Sequence, residues 1–303
     1  MNTRKIFHWA AAPALLAASM SASAGWIDLF TTAQIVSDNQ NGGTGNSSSV
    51  TDASIPSSIL GTERDVLVNA ISGATDTVAN GVCDVGELCS VVSIGGGLLN
   101  FSNTSPVVGE ALVQWDGVDG NMTLNPTGLA TDLTQGGTVS AFQYTVNDSD
   151  ANWAFGLNVY SSATQWTKVI LAATQVNPGS PEQRTIQFAS LSNNFFCGHV
   201  AGTGTEIAAL TAAGVLSVTC GTSGAVNFTN FGAMEIALNI ASPVALPVGC
   251  TGTACDLPQG GQRFSLDLQI GGLNTIPEPS MLGLMGIGLL AGGLASRRRK
   301  ASA

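Results

Sequence analysis

Ala141-Phe142-Gln143-Tyr144-Thr145-Val146 and Trp153-Ala154-Phe155-Gly156-Leu157-Asn158-Val159-Tyr160 are the stretches that decide the fold class. In the first, Phe142, Tyr144 and Val146 fall on one side of an extended chain. In the second, Trp153, Phe155, Leu157 and Val159 do the same, with Ala154, Gly156, Asn158 and Tyr160 opposite. A period of two belongs to a strand with one buried face. Asn147-Asp148-Ser149-Asp150 has the composition of a turn, so the two stretches are expected to form a hairpin.

Similar short segments recur in both directions. Asp65 to Ala70, Val91 to Ile94, Leu98 to Phe101, Trp166 to Ala172, Arg184 to Phe188, Val215 to Cys220, Ala233 to Ile240 and Arg263 to Ile270 read as strands. The last has Phe264, Leu266, Leu268 and Ile270 on its inward side. Gly95-Gly96-Gly97 and Asn177-Pro178-Gly179-Ser180-Pro181 supply turns. Glu206 to Ala213, Ala-rich and followed by Gly214, is the one expected short helix. The list specifies an all-β fold, a double-sheet β-sandwich of jelly-roll-like type over residues 59–275. Residues 25–58 read as a lead-in, with Asn39 to Ser49 as a flexible Asn/Gly/Ser-rich loop. No fixed period supports a solenoid.

Both ends carry addresses. Arg4 and Lys5, the apolar run Ala10 to Ala18 and the small residues Ala22-Ser23-Ala24 read as a signal peptide over 1–24, cut by signal peptidase before Gly25. Near the other end, Met281 to Ala295 carries no charge. With Ser280 and Ser296 it is long enough for a short transmembrane helix, residues 280–296. Its glycines are tolerated in lipid, where a helix is the one way to satisfy an unbroken apolar backbone. Arg297, Arg298, Arg299 and Lys300 then act as a membrane stop held in the cytoplasm.

Between the ends, residues 25–275 hold four basic residues, Arg64, Lys168, Arg184 and Arg263, against nineteen acids. So acidic a surface repels nucleic acid and tolerates divalent cations. Six cysteines fall into local pairs, expected as the disulfides Cys83–Cys89, Cys197–Cys220 and Cys250–Cys255 of an oxidising compartment. Neither close pair has the Cys-x-x-Cys spacing of a zinc site.

Ile276-Pro277-Glu278-Pro279-Ser280, the apolar Leu282 to Leu294 and the Arg-Arg-Arg-Lys cluster together resemble the PEP-CTERM sorting signal of Gram-negative bacteria. The resemblance covers the last 28 residues, 276–303. It implies that an exosortase, an integral-membrane protease, cuts at or near Pro277, Glu278 and Pro279 and removes the tail. The inner membrane is then a transient partner. The mature chain goes to the cell surface or the surrounding polysaccharide, in a structural or adhesive role. The two prolines hold the motif extended and outside the helix.

No catalytic constellation is legible, so the chain is not expected to be an enzyme. His199 is the lone histidine of residues 25–275 and is expected on the surface or in a loop. No Gly-x-Ser-x-Gly elbow marks a serine. Glu110, Asp116, Asp119, Glu182, Glu206 and Glu235 are acids that a glycoside hydrolase could pair across a cleft, but nothing in the sequence pairs them. Asp116-Gly117-Val118-Asp119-Gly120-Asn121 reads either as a calcium loop, with Asp116 and Asp119 as ligands, or as an Asx-rich turn. No other cofactor is expected. Trp115 and Trp166 are candidates for stacking on sugars, in a carbohydrate-binding module, or for the core.

Overall fold

A computed structural model of the chain describes residues 25–40, 43–202, 207–241 and 263–277. The signal segment 1–24, Cys250 and Cys255, Glu278, Pro279, the 280–296 span and Arg297 to Lys300 lie outside the described residues.

Fifteen strands form among the described residues: β1 (Trp26–Asp28), β2 (Gln34–Asp38), β3 (Asn46–Thr51), β4 (Glu63–Ser72), β5 (Ser90–Gly95), β6 (Leu98–Asn103), β7 (Val108–Trp115), β8 (Val139–Ser149), β9 (Trp153–Tyr160), β10 (Trp166–Ala173), β11 (Glu182–Gln187), β12 (Val215–Cys220), β13 (Ala233–Leu238), β14 (Leu268–Gly271) and β15 (Leu273–Pro277). They make two antiparallel sheets. The first has the order β1-β15-β8-β14-β6-β5-β2, with β11 on the free edge of β8. The second has the order β12-β10-β9-β13-β7-β4-β3. Val92, Phe101 and Phe142 from the first sheet share one buried core with Val66, Val113 and Leu157 from the second.

The expected hairpin does not form. β8 and β9 lie in different sheets, and residues 150–152 carry the chain between them. The alternation identified the core-facing side, since Tyr144 and Phe155 meet edge-on with ring centroids 5.8 Å apart, but β9 is buried on its other face too, at Ala154 and Tyr160. It could not report pairing, because two strands facing each other across a core have the same period as two strands side by side. The β5–β6 hairpin at Gly95 to Gly97 does form, with Gly96 and Gly97 at positive φ as a tight turn requires.

Three further expectations are corrected. Residues 25–58 are part of the sandwich, since β1 and β2 belong to the first sheet and β3 to the second. The presumed loop Asn39 to Ser49 runs into β3, an edge strand paired with β4 from Asn46↔Val68 to Thr51↔Glu63. A Ser-rich edge strand buries little, so it shows no apolar period. Regular pairing of the segment from Arg263 begins only at Leu268, and Phe264 is 42% exposed. The expected helix is present as the short α-helix Ala208–Ala212, and Gly214 follows at φ 78°. A second single helical turn spans Phe188–Leu191.

The disulfides Cys83–Cys89 and Cys197–Cys220 are formed, with Cα separations of 5.8 and 5.5 Å. A buried polar bridge ties the sheets together. Arg64 on β4 is fully buried and donates from Nη1 to Asp28 Oδ2 at 2.8 Å, from Nε to Gln34 Oε1 at 2.8 Å and from Nη2 to the Thr32 carbonyl at 2.8 Å. Trp115 Nε1 donates to the same Asp28 oxygen at 3.0 Å.

Candidate functional site

One line of paired residues crosses the outer face of the whole second sheet. It runs Ser49, Asp65, Gln114, Glu235, Asn158, Lys168, Thr219, one residue from each strand. Each alternates along its strand with inward residues such as Val66, Val113, Met234, Leu157 and Val169. The pleat therefore aims them all away from the core. An outer face normally meets water, yet Asp65 and Gln114 are 0% exposed and Glu235 is 8%.

The cover is the segment after β7, residues 116–131. The backbone N–H groups of Asp119 and Gly120 donate to Glu63 Oε1 at 2.8 and 2.7 Å, and Leu129 N–H donates to the Gly232 carbonyl at 2.9 Å. Gly117, at φ 104°, turns the chain beside Gly128, where a Cβ would meet backbone at 3.1 Å. Glu63, two residues before Asp65 on the same face, thus anchors the loop. Its other oxygen accepts from Thr51 Oγ1 at 3.1 Å.

The cover gathers carboxylates. One oxygen from each of Glu63, Asp65 and Asp119 lies within 4.8 Å of the others. Burial pushes the Asp65 carboxyl up to about 7, reinforced by the charges of Glu63, Asp116 and Asp119. The Ser49 side chain opposes that shift, but neither Asp65 oxygen has a partner at hydrogen-bond geometry. Burial also pushes Asp116 up to about 6, with Asp119, Glu235 and Glu63 adding to the shift. Asp116 Oδ2 accepts from Gln114 Nε2 at 3.0 Å and from Asn125 N–H at 2.6 Å, while Asp116 Oδ1 and Gln114 Oε1 are buried without a partner. Glu235 Oε2 accepts from Tyr160 Oη at 2.6 Å and Asn158 Nδ2 at 3.2 Å.

No ion pair among the described residues reaches this group. Arg64 binds Asp28, Arg184 binds Glu182 and Arg263 binds Glu110. Lys168 Nζ lies over the rings of Tyr160 and Trp166, 5.7 and 5.3 Å from their centroids.

The loop forms the Asx turn that was its other reading, with Asn121 N–H donating to Asp119 Oδ1 at 3.0 Å, and its two acids part company. Asp119 joins Glu63 and Asp65 on β4, whereas Asp116 turns inward to Gln114 and Asn125. Reading along the loop alone missed both β4 acids. The available signal was Glu63-Arg64-Asp65, three charges opening a strand that continues Val66-Leu67-Val68.

Trp115 is fully buried and bound to Asp28, so it is a core residue and not a sugar platform. Trp166 is half-buried beneath Lys168. His199 is 1% exposed, not a surface group. Its Nδ1 accepts from Ile207 N–H at 2.9 Å, which leaves Nε2 to donate to the Val215 carbonyl at 3.1 Å. Both ring nitrogens are thereby engaged.

An open groove of about 630 Å³ lies elsewhere on the surface, with Gln165, Gln187, Asn194 and Asn227 on its walls and Phe188 and Phe228 at its base. Asp132 is the one carboxylate that lines it, where a glycoside hydrolase uses two.

The ends of the domain meet at one corner. Thr275 N–H donates to the Gly25 carbonyl at 2.7 Å, and Gly25 N–H to Thr275 Oγ1 at 3.1 Å. β15, which carries Thr275, Ile276 and Pro277, lies between β8 and β1. A family profile described as the PEP-CTERM protein-sorting motif matches residues 275–300. The chain carries a PEP-CTERM sorting motif. A sequence comparison with curated proteins gives no match. The motif implies an exported protein that is processed by an exosortase and carries a membrane-anchored sorting signal. Among the described residues no helix is long and apolar enough to cross a membrane, and the expected span 280–296 lies outside them. The PEP-CTERM match begins within the last strand, so no linker separates the sheet from the motif.

Proposed function

We propose that the chain is a structural or adhesive protein of the cell surface or extracellular polymer, released there when an exosortase removes its tail. The observation that carries this reading is the sorting motif running directly out of β15. Gly25 and Thr275 are hydrogen-bonded neighbours, so both precursor tethers leave the sandwich at one corner. The alternation of consecutive strand groups between the sheets supports the finer, jelly-roll-like form of the sandwich: β2, then β3 and β4, then β5 and β6, then β7, then β8.

The test spares Pro277 of β15, which pairs with Val139 of β8. Glu278→Ala/Pro279→Ala should leave the tail on the chain, with the protein retained in the membrane fraction and heavier by mass spectrometry. A variant released at the wild-type mass would refute processing at the motif. For the role itself, mature protein should fractionate with surface or extracellular polymer. Its recovery wholly as free monomer in the medium would refute a structural part.

Carbohydrate binding is the second reading, and the amide-walled groove over Phe188 and Phe228 favours it. Glycan-array binding lost in Gln165→Ala/Gln187→Ala would support it. Binding unchanged in that variant would remove the groove from consideration.

A further inference from the structure

We propose that Glu63, Asp65 and Asp119 bind a calcium ion that locks the 116–131 segment onto the outer face of the second sheet. The donor set comes first. Three carboxylates converge within 4.8 Å, with no nitrogen or sulfur ligand among them. All-oxygen, anionic sites select hard divalent cations.

The second observation is independent of the clustering. Asp65 is 0% exposed, and neither of its oxygens has a partner at hydrogen-bond geometry, although the Ser49 side chain lies near enough to favour its charge. A carboxylate taken out of water without a partner carries a heavy desolvation cost, and natural folds meet that cost with a pairing group, a metal or a bound proton. Neighbouring Asp116 Oδ1 and Gln114 Oε1 are buried and unpartnered too. These are orphaned acceptors, and a cation is what acceptors lack. Every basic side chain of the described residues is engaged elsewhere, at Asp28, Glu182, Glu110 or the Tyr160 and Trp166 rings.

Geometry supplies the rest. Asp119 sits exposed at the rim while Asp65 closes the floor, which gives an ion a way in and leaves room for water ligands. The backbone of Asp119 and Gly120 already docks on Glu63, so the two sides of the site are held in register before an ion arrives. Calcium suits a site with three protein carboxylates and water completing the shell. Magnesium demands near-ideal octahedral geometry and gives up its water reluctantly. The exported chain meets the calcium of the outside medium, where affinities of about 10⁻⁴–10⁻³ M suffice. The proposal does not depend on a structural role for the protein.

The test uses the mature exported chain after EDTA treatment, with calcium chloride as the probe. About 5 mM Ca²⁺ should raise the melting temperature by about 3–8 °C. Asp65→Asn and Asp119→Asn should each abolish the shift. Asp65→Asn should melt in EDTA at or above the wild-type temperature, because it removes a buried charge without changing shape. Asp119→Asn alters an exposed side chain, so it reports on binding even if the buried substitution misfolds. No wild-type response to calcium would overturn the proposal, as would a full response in either variant. An equal shift from Mg²⁺ at the same concentration would overturn the assignment to calcium.

Discussion

Replacing Asp28 by asparagine should destabilise the sandwich by about 3–5 kcal/mol, the usual cost of stranding one member of a buried ion pair. Arg64 is fully buried and spends three donors on Asp28, Gln34 and the Thr32 carbonyl. A guanidinium cannot shed its proton, so Asp28→Asn leaves a charge in the core. Arg64→Met strands the carboxylate instead, and a carboxylate can take up a proton. Burial already raises the Asp28 pKa, against the opposing pull of Arg64. The cost of Arg64→Met should therefore be smaller at pH 5 than at pH 8. Asp28→Leu/Arg64→Met removes both charges. It still leaves Trp115 Nε1 and the Phe30 N–H without their acceptor, at about 1–3 kcal/mol each. The double variant should thus fall well short of the sum of the single costs. Domains of this kind have about 5–15 kcal/mol in total, so single variants should shift the urea midpoint visibly at constant m. Single costs below about 1 kcal/mol, or a strictly additive double variant, would refute the bridge between the sheets.

Two further outcomes follow from the same interior. In EDTA, stability should rise as pH is lowered from about 7.5 to 5. Asp65 is raised to about 7 and Asp116 to about 6, so in that window the folded chain holds protons that the unfolded chain has released. Glu87, lowered to about 2 by Thr77 and neighbouring hydrogen bonds, loses its contribution progressively from about pH 5 downward, below most of this window. A melting temperature that falls steadily from pH 7.5 to 5 would contradict the buried acids. Cys197→Ser/Cys220→Ser should cost about 2–4 kcal/mol, because that disulfide closes a loop of 23 residues and ties the Asn194–Phe196 turn to the end of β12. Unchanged denaturation under reducing conditions would count against it.

The candidate site was half legible. Asp119 was found from the Asp-Gly-Val-Asp-Gly-Asn spacing, because the turn chemistry of a loop is local. Glu63 and Asp65 were not, because their link to Asp119 passes through the pairing of β4 with β7 and the fold-back of the loop. Trp115 stayed open between core and sugar platform, and His199, expected on the surface or in a loop, lies buried in a loop, for a related reason. Each is a polar-capable ring whose burial depends on a distant partner, Asp28 in one case and the Ile207 and Val215 backbone in the other.

The order of residues alone determined the all-β character, the inward side of β8 and β9, two of the disulfides and the sorting motif at the carboxyl end. Each is written in spacing over a few residues: a period of two, a local cysteine pair, a Pro-Glu-Pro before an apolar run. Tertiary structure decided which sheet each strand joined, that the middle of the outer face of the second sheet is covered, and that its acids converge. Those outcomes arise from contacts between residues tens of positions apart. Side-chain periodicity reports which face is buried but carries no record of what lies against it.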